Sequence, residues 1–419
     1  MTIHSPTSLF LILVVDFLWK LADSFSKHHL ELSVWISHQR IDLLSTMGPA
    51  YDSSRADALN NLGFYLSKLE KWEETIEPMR TAVAIYREFY ATRPFYRPYI
   101  ANSLHDFGYY QSELKKWPEA VEATEEALSL RQVLFADDPE RYGSDLAWSL
   151  HNLGNFRYEL DQQEDAVRLM KKAVEVRRAL FAKKPATYRV DLAWSLHRLG
   201  LFDSKASRWD AAVESLEEAV ELRQVLYEVD PKKYRAQLSS SLHDLGLYLS
   251  NLGKLVKAAE FTERALELRQ TSFDEDPEAH RESLAWSLHN LGNFQYTLEQ
   301  WSTAAELMER AVATRRILFA KDPDTYRVPM AWSFHRLGLF RYKLDDFKAA
   351  AEATEQAVEL RQALFSSNPA EYREHLALSL DNLSSCLAYL GDLRGALEAK
   401  GKATRLREDI EGADAEPSA

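Results

Sequence analysis

The tripeptide Ser-Leu-His begins at Ser103, Ser149, Ser195, Ser241 and Ser287 and returns as Ser-Phe-His at Ser333, 46 residues apart each time. Pro139, Pro185, Pro231, Pro277, Pro323 and Pro369 keep the same interval. So do Arg131, Arg177, Arg223, Arg269, Arg315 and Arg361, each eight residues before its proline. Looser copies flank the six, around Leu59-Asn60-Asn61-Leu62-Gly63 and around Ser379-Leu380-Asp381-Asn382-Leu383. One such unit is too short to bury a core alone, so its neighbours must stack on it. At about 150 residues per domain, 419 residues would read as two or three globular domains. The period instead predicts one quasi-linear array of about eight units over residues 53–407.

Each unit reads as two helices. In the third, Leu146, Leu150, Leu153 and Leu160 share one helical face. Asp161 to Asp165 is a polar turn, and Ala166, Leu169, Met170, Ala173, Val176 and Leu180 form a second stripe. Lys183 and Lys184 suit a helix C-terminus, and Pro185 marks the end of one helix and the start of the next. No strand period appears, so the expected class is all-α.

Gly154, Ala166 and Ala173, together with Leu150 and Leu153, resemble the tetratricopeptide repeat (TPR) pattern, in which small residues allow close helix crossing. Gly108, Gly200, Gly246, Gly292 and Gly338 match the glycine. The alanine pairs 120/127, 212/219, 258/265, 304/311 and 350/357 match the alanines. The unit is longer than the family's usual length of about 34 residues, and in this it resembles kinesin light chain-like arrays. Ser384 replaces the glycine in the eighth copy and Thr75 an alanine in the first, as end repeats often do. The resemblance implies a right-handed α-solenoid, a TPR-like superhelix of about eight helix-turn-helix repeats. It also implies that the first helix of each pair lines a concave, ligand-touching groove. Around the array, residues 1–52 are expected to form an N-terminal helical cap or degenerate repeat, with 17–48 as a further helix pair, and residues 408–419 an acidic disordered tail.

Composition narrows the function classes. A single cysteine, Cys386, excludes internal disulfides and a four-thiolate zinc site. The formal charge of −13 argues against nucleic acid as a partner. Residues 1–56 carry −1 and residues 408–419 carry −5, which leaves −7 thinly spread over the array. The longest apolar run, Leu9 to Val15, is stopped by Asp16 and falls short of the roughly 20 residues a membrane-spanning helix needs. Residues 1–19 hold no Lys or Arg, so this run reads as a hydrophobic capping helix and not a signal peptide. A cytoplasmic protein without membrane attachment is expected.

The repeats also show a longer period. Residues 149–194 match residues 287–332 at 29 of 46 positions but match 195–240 at only 17, so a block of 138 residues is duplicated. Ancestry alone explains this; two equivalent ligand patches, three repeats apart, are the functional alternative.

Opposite the leucines of the third unit lie Trp148, His151, Asn155 and Tyr158, at i, i+3, i+7 and i+10. The sixth unit repeats them as Trp286, His289, Asn293 and Tyr296. The seventh has Trp332, His335 and Tyr342, and the fourth Trp194 and His197. A helix face turned to solvent should carry charge. Aromatic and amide side chains there mark a surface that meets something. Two roles stay open at each position: contact with a partner, or packing between repeats, with the histidines in a ladder of hydrogen bonds. Equivalent histidines on stacked hairpins should stand about 10 Å apart, too far to share a metal ion. Six copies without a recurrent nucleophile or carboxylate form a lattice and not a catalytic site. Free imidazole titrates near pH 6.5, so a pH-responsive groove is a further alternative.

The expected function is therefore a non-enzymatic scaffold or adaptor, with no cofactor and no metal, binding a protein or peptide partner in the groove. A mixed, hydrogen-bonding segment suits the nearly neutral stripe better than a basic one. The alternative is the ligand-sensing or autoinhibitory arm of a larger signalling protein linked to an NTPase or protease. Self-association through the end repeats is a third reading.

Overall fold

The computed structural model describes residues 27–413, which are helical almost throughout, without strands. The apolar run Leu9–Val15, the first part of the expected 17–48 pair and the end of the acidic tail lie outside the described residues. The chain forms two compact units, one ending at Ala206 and the other beginning at Ser207.

In the first unit, a single helix Lys27–Thr46 precedes the hairpins Asp52–Lys68/Trp72–Thr92, Arg97–Glu113/Trp117–Asp137 and Pro139–Glu159/Gln163–Lys183, and Pro185–Lys205 closes it. Leu44 and Met47 bury against Ala58, which seats the leading helix on the first hairpin. The second unit opens with Trp209–Val229. The hairpins Pro231–Asn251/Leu255–Glu275, Pro277–Thr297/Trp301–Lys321, Pro323–Lys343/Phe347–Ser367 and Pro369–Tyr389/Leu393–Ala413 follow. The last helix runs to Ala413, past the boundary at 408 expected for the tail. Within each unit consecutive helices pack in chain order, as an α-solenoid requires.

The connections follow from their sequences. Asp138 ends one helix and caps the next, its carboxylate accepting the Arg141 backbone N–H at 3.0 Å, while Pro139 occupies the first helical position. Asp230 and Asp322 repeat this cap on Lys233 and Thr325, at 3.1 and 3.2 Å. The turn inside each hairpin is shorter than expected, because Gln163 already begins the second helix. Glu164 and Asp165, expected in the turn because they are polar, sit in the first helical turn, where acidic side chains favour the dipole. The turn itself needs one left-handed residue. Gly253 (φ 72°) and Gly391 (φ 83°) supply it in two hairpins, and Asp161 (φ 57°) and Glu299 (φ 61°) are forced into it in others.

Small residues set the helix spacing, as the repeat pattern implies. Ala166 and Ala173 are fully buried. A Cβ added at Gly246 would lie 2.2 Å from Thr262 Oγ1 and 3.0 Å from the Ala258 carbonyl oxygen. In the eighth copy Ser384 turns this crowding to use, donating its hydroxyl to the Ala396 carbonyl at 2.8 Å.

Candidate functional site

The recurrent arginines form the frame on which the expected stripe stands. Arg177 and Arg315 are each 1% exposed. Arg315 Nη1 donates to the Pro329 carbonyl at 2.9 Å and to Ser333 Oγ at 2.5 Å. Arg177 does the same to Asp191 and Ser195, Arg223 to Gln237 and Ser241, and Arg361 to His375 and Ser379. Ser149, Ser195, Ser241, Ser287 and Ser333 are thus acceptors for buried guanidinium groups, whereas Ser103 accepts from Asn60 Nδ2, and the apolar residue after each serine is core. Burial pulls Arg315 and Arg361 down to about 10, which leaves both charged near neutrality.

The histidines complete a ladder between repeats. His151 Nδ1 lies 3.0 Å from Ser195 Oγ, His289 Nδ1 3.2 Å from Ser333 Oγ, and His335 Nδ1 3.1 Å from Ser379 Oγ. His151 and His289 are buried, and of the two roles open to them they fill the inter-repeat ladder. Burial first, and the charges of Arg315 and Arg336 second, push His289 down to about 3. Burial and the charges of Arg361, Arg336 and His375 do the same to His335. These imidazoles are neutral at physiological pH.

The tryptophans lie on this frame. The guanidinium carbon of Arg177 stands 4.4 Å from the Trp148 ring centre, and that of Arg315 stands 4.6 Å from Trp286. In the first unit the stripe packs on itself. Trp148 meets Trp194 edge-on at 6.3 Å, and Arg198 Nε donates to Asn155 Oδ1 at 2.8 Å. Arg198 also lies over Tyr158, which stacks on Phe202 at 4.5 Å; His197 is half-buried.

In the second unit the same residues open. A cavity of about 550 Å³ is walled by Trp286, His289, Asn290 and Asn293 on one first helix and by Trp332, His335 and Arg336 on the next. His375 and Leu378 line it from a third first helix, and Arg361 from the intervening second helix. Trp332 is 40% exposed. Asn293 Oδ1 is buried and makes no hydrogen bond within the protein, unlike its counterpart in Asn155. Tyr296 and Tyr342 are not on this wall. They line a neighbouring cavity of about 170 Å³ beside Cys386, with Tyr296 stacked on Phe340 at 4.6 Å.

Five of the expected residues therefore converge on one cavity: Trp286, His289, Asn293, Trp332 and His335. Leu378 was missed although it stands 46 residues after Trp332, at the tryptophan position. His375 was missed because it belongs to no recurrent series. Among the described residues no group of three or more His, Cys, Asp or Glu side chains is placed to hold a metal ion. Nor is any described helix long and apolar enough to cross a membrane.

A family model for the tetratricopeptide repeat matches residues 55–89, 146–184, 192–231, 238–278 and 284–324. Among solved structures the chain is similar to BtubC (BKLC) from P. vanneervenii, at 23% identity over 61% of this chain and 94% of that one, with a TM-score of 0.46. It is similar to a Podosopora anserina protein assigned as a kinesin light chain with nearly identical TPR-like repeats, at 20% identity over 52% and 95%, TM-score 0.39. RapI in its apo form aligns over 95% of this chain and 99% of that one, at 15% identity and a TM-score of 0.54, a likeness of fold alone. Comparison with curated proteins finds no match.

Proposed function

Because this chain belongs to the tetratricopeptide-repeat family, we propose that it is a protein-interaction scaffold and that its partner inserts a peptide segment into the cavity between Trp286 and Leu378. The observation that carries this reading is the convergence of three first helices on one open, tryptophan-lined cavity of about 550 Å³, a size suited to a few side chains. Trp332 and Leu378 supply apolar area. Asn293 Oδ1 is a buried acceptor awaiting an N–H, which a peptide backbone provides. With two arginines and no carboxylate on its wall, the cavity disfavours a basic segment and fits a mixed, hydrogen-bonding one. The histidine ladder also holds the helices that present these groups.

The test is affinity capture with the wild type against Trp332→Ala/Leu378→Ala, followed by direct binding measurements with the partner captured. Loss of one specific partner, with helicity and melting unchanged, supports the reading. A variant that keeps every partner overturns it.

A further inference from the structure

A second cavity, of about 440 Å³, lies in the first unit, between the hairpin Arg97–Glu113/Trp117–Asp137 and the start of Pro139–Glu159. A local departure from the repeat builds it. The next hairpin starts its first helix at Pro139, but here Pro94–Tyr96 makes a 3-10 turn and the helix starts only at Arg97. Phe95, 73% exposed, and Tyr99, 40% exposed, line the cavity with 5.8 Å between their ring centres. Later repeats carry Thr187, Lys233 and Thr325 at the first of these positions and Asp191, Gln237 and Ser283 at the second. At the place of Trp148 this repeat has Asn102, so no indole covers its buried arginine, Arg131, and Asn102 lines the cavity instead.

The polar side chains on this wall are mostly hydrogen-bond donors. Asn102 Oδ1 already accepts from Arg131 Nη2 at 2.9 Å, which leaves its N–H groups for a ligand. Tyr99 and Tyr142 add hydroxyls. The one carboxylate, Asp137, faces Arg97 at 3.7 Å. Arg141, whose guanidinium carbon lies 5.1 Å from the Tyr142 ring centre, leaves the wall one positive charge in excess. Such a wall suits a backbone that brings acceptors without donors. An α-helix has already used its carbonyls, and an extended strand brings N–H groups that would find few acceptors. Proline has a carbonyl and no N–H, and in the polyproline II helix no internal hydrogen bond uses the carbonyls. Pro94, Pro98 and Leu134 complete the apolar lining, and exposed aromatic rings are the surface on which proline-rich segments dock.

We propose that this cavity binds a proline-rich segment of a partner protein in the polyproline II conformation, flanked by an acidic residue that pairs with Arg141. Phe95 and Tyr99 hold the proline rings, and Asn102 donates to a backbone carbonyl. The cavity shares no lining residue with the one between Trp286 and Leu378, and the two ask for opposite backbones: Asn293 Oδ1 awaits an N–H, which proline lacks.

Titration calorimetry of the full chain tests this with three peptides: acetyl-decaproline amide, the same peptide with two aspartates at each end, and a Gly-Ser repeat of equal length. Decaproline is expected to bind saturably and the Gly-Ser peptide not to bind. The aspartates tighten binding by about threefold, as an exposed ion pair does, and Arg141→Ala abolishes that gain. Phe95→Ser, at an exposed position, weakens decaproline by at least about tenfold with helicity and melting unchanged. Trp332→Ala/Leu378→Ala binds decaproline as the wild type does, which separates this site from the cavity proposed above. Absence of saturable decaproline binding overturns the proposal. So does binding that Phe95→Ser leaves intact, binding that Trp332→Ala/Leu378→Ala removes, equal binding of the Gly-Ser peptide, or an aspartate-flanked peptide no tighter than decaproline.

Discussion

The guanidinium carbon of Arg315 lies 4.6 Å from the centre of the Trp286 ring while its Nη1 donates to Ser333 Oγ at 2.5 Å. One buried cation thus ties a wall of the cavity to the next hairpin. Arg177 stands in the same relation to Trp148 and Ser195.

Removing Arg315 orphans both the serine hydroxyl and the Pro329 carbonyl in an apolar setting. Arg315→Met is expected to lower the free energy of unfolding by about 3 kcal/mol, since breaking a buried polar cluster from one side costs about that much. Arg310→Met, on the exposed face of the same helix, should change it by less than about 0.5 kcal/mol. Urea denaturation followed by circular dichroism compares the two.

The histidine ladder makes a prediction about pH. His289 and His335 fall to about 3 in the folded chain, against about 6.5 unfolded. Between these values the unfolded chain binds more protons. Stability is therefore flat above about pH 6.5 and declines as the pH drops towards 3. Thermal melting at pH 8, 7, 5 and 4 checks this, and His289→Gln should reduce the decline. Neither imidazole titrates between about pH 5.5 and 7.5, so the ladder itself adds no pH dependence to partner affinity there.

The close helix crossing is tested at Gly246. The methyl of Gly246→Ala meets the Ala258 carbonyl oxygen at 3.0 Å, and backbone cannot swing away. A loss of about 1–3 kcal/mol is expected, read as a lower urea midpoint with an unchanged slope.

The interhelix turn is tested in the opposite direction. Glu299 sits at φ 61° where Gly253 holds the equivalent place. Glu299→Gly should raise stability by about 1 kcal/mol by removing the left-handed strain, measured by the same denaturation.

Much of this architecture was legible in the sequence because a repeat is its own control. The spacing of Ser149, Ser195 and Ser241 located the units, and Gly154 with Ala166 located the helix crossings. The role of Arg177 was not legible, since a recurrent arginine on an amphipathic helix reads as solvated until the helix that buries it is placed. For His151 and His289 a ladder between repeats was one of two open roles, but the serines that complete it, 44 residues away on another hairpin, were not legible. The cavity could be anticipated from Trp286 and Trp332, but its third wall could not, because His375 breaks the repeat. The difference between the Arg198–Asn155 bond and the free Asn293 Oδ1 arises in two nearly identical sequences and is set by side-chain packing.

The most direct measurement places a photo-crosslinking residue at Leu378, on the cavity wall, and in a second version at Glu355, an exposed residue outside it. With the purified partner, crosslinking is predicted from position 378 and not from 355, and Trp332→Ala should abolish it. Equal crosslinking from both positions, or from 355 alone, would contradict the account.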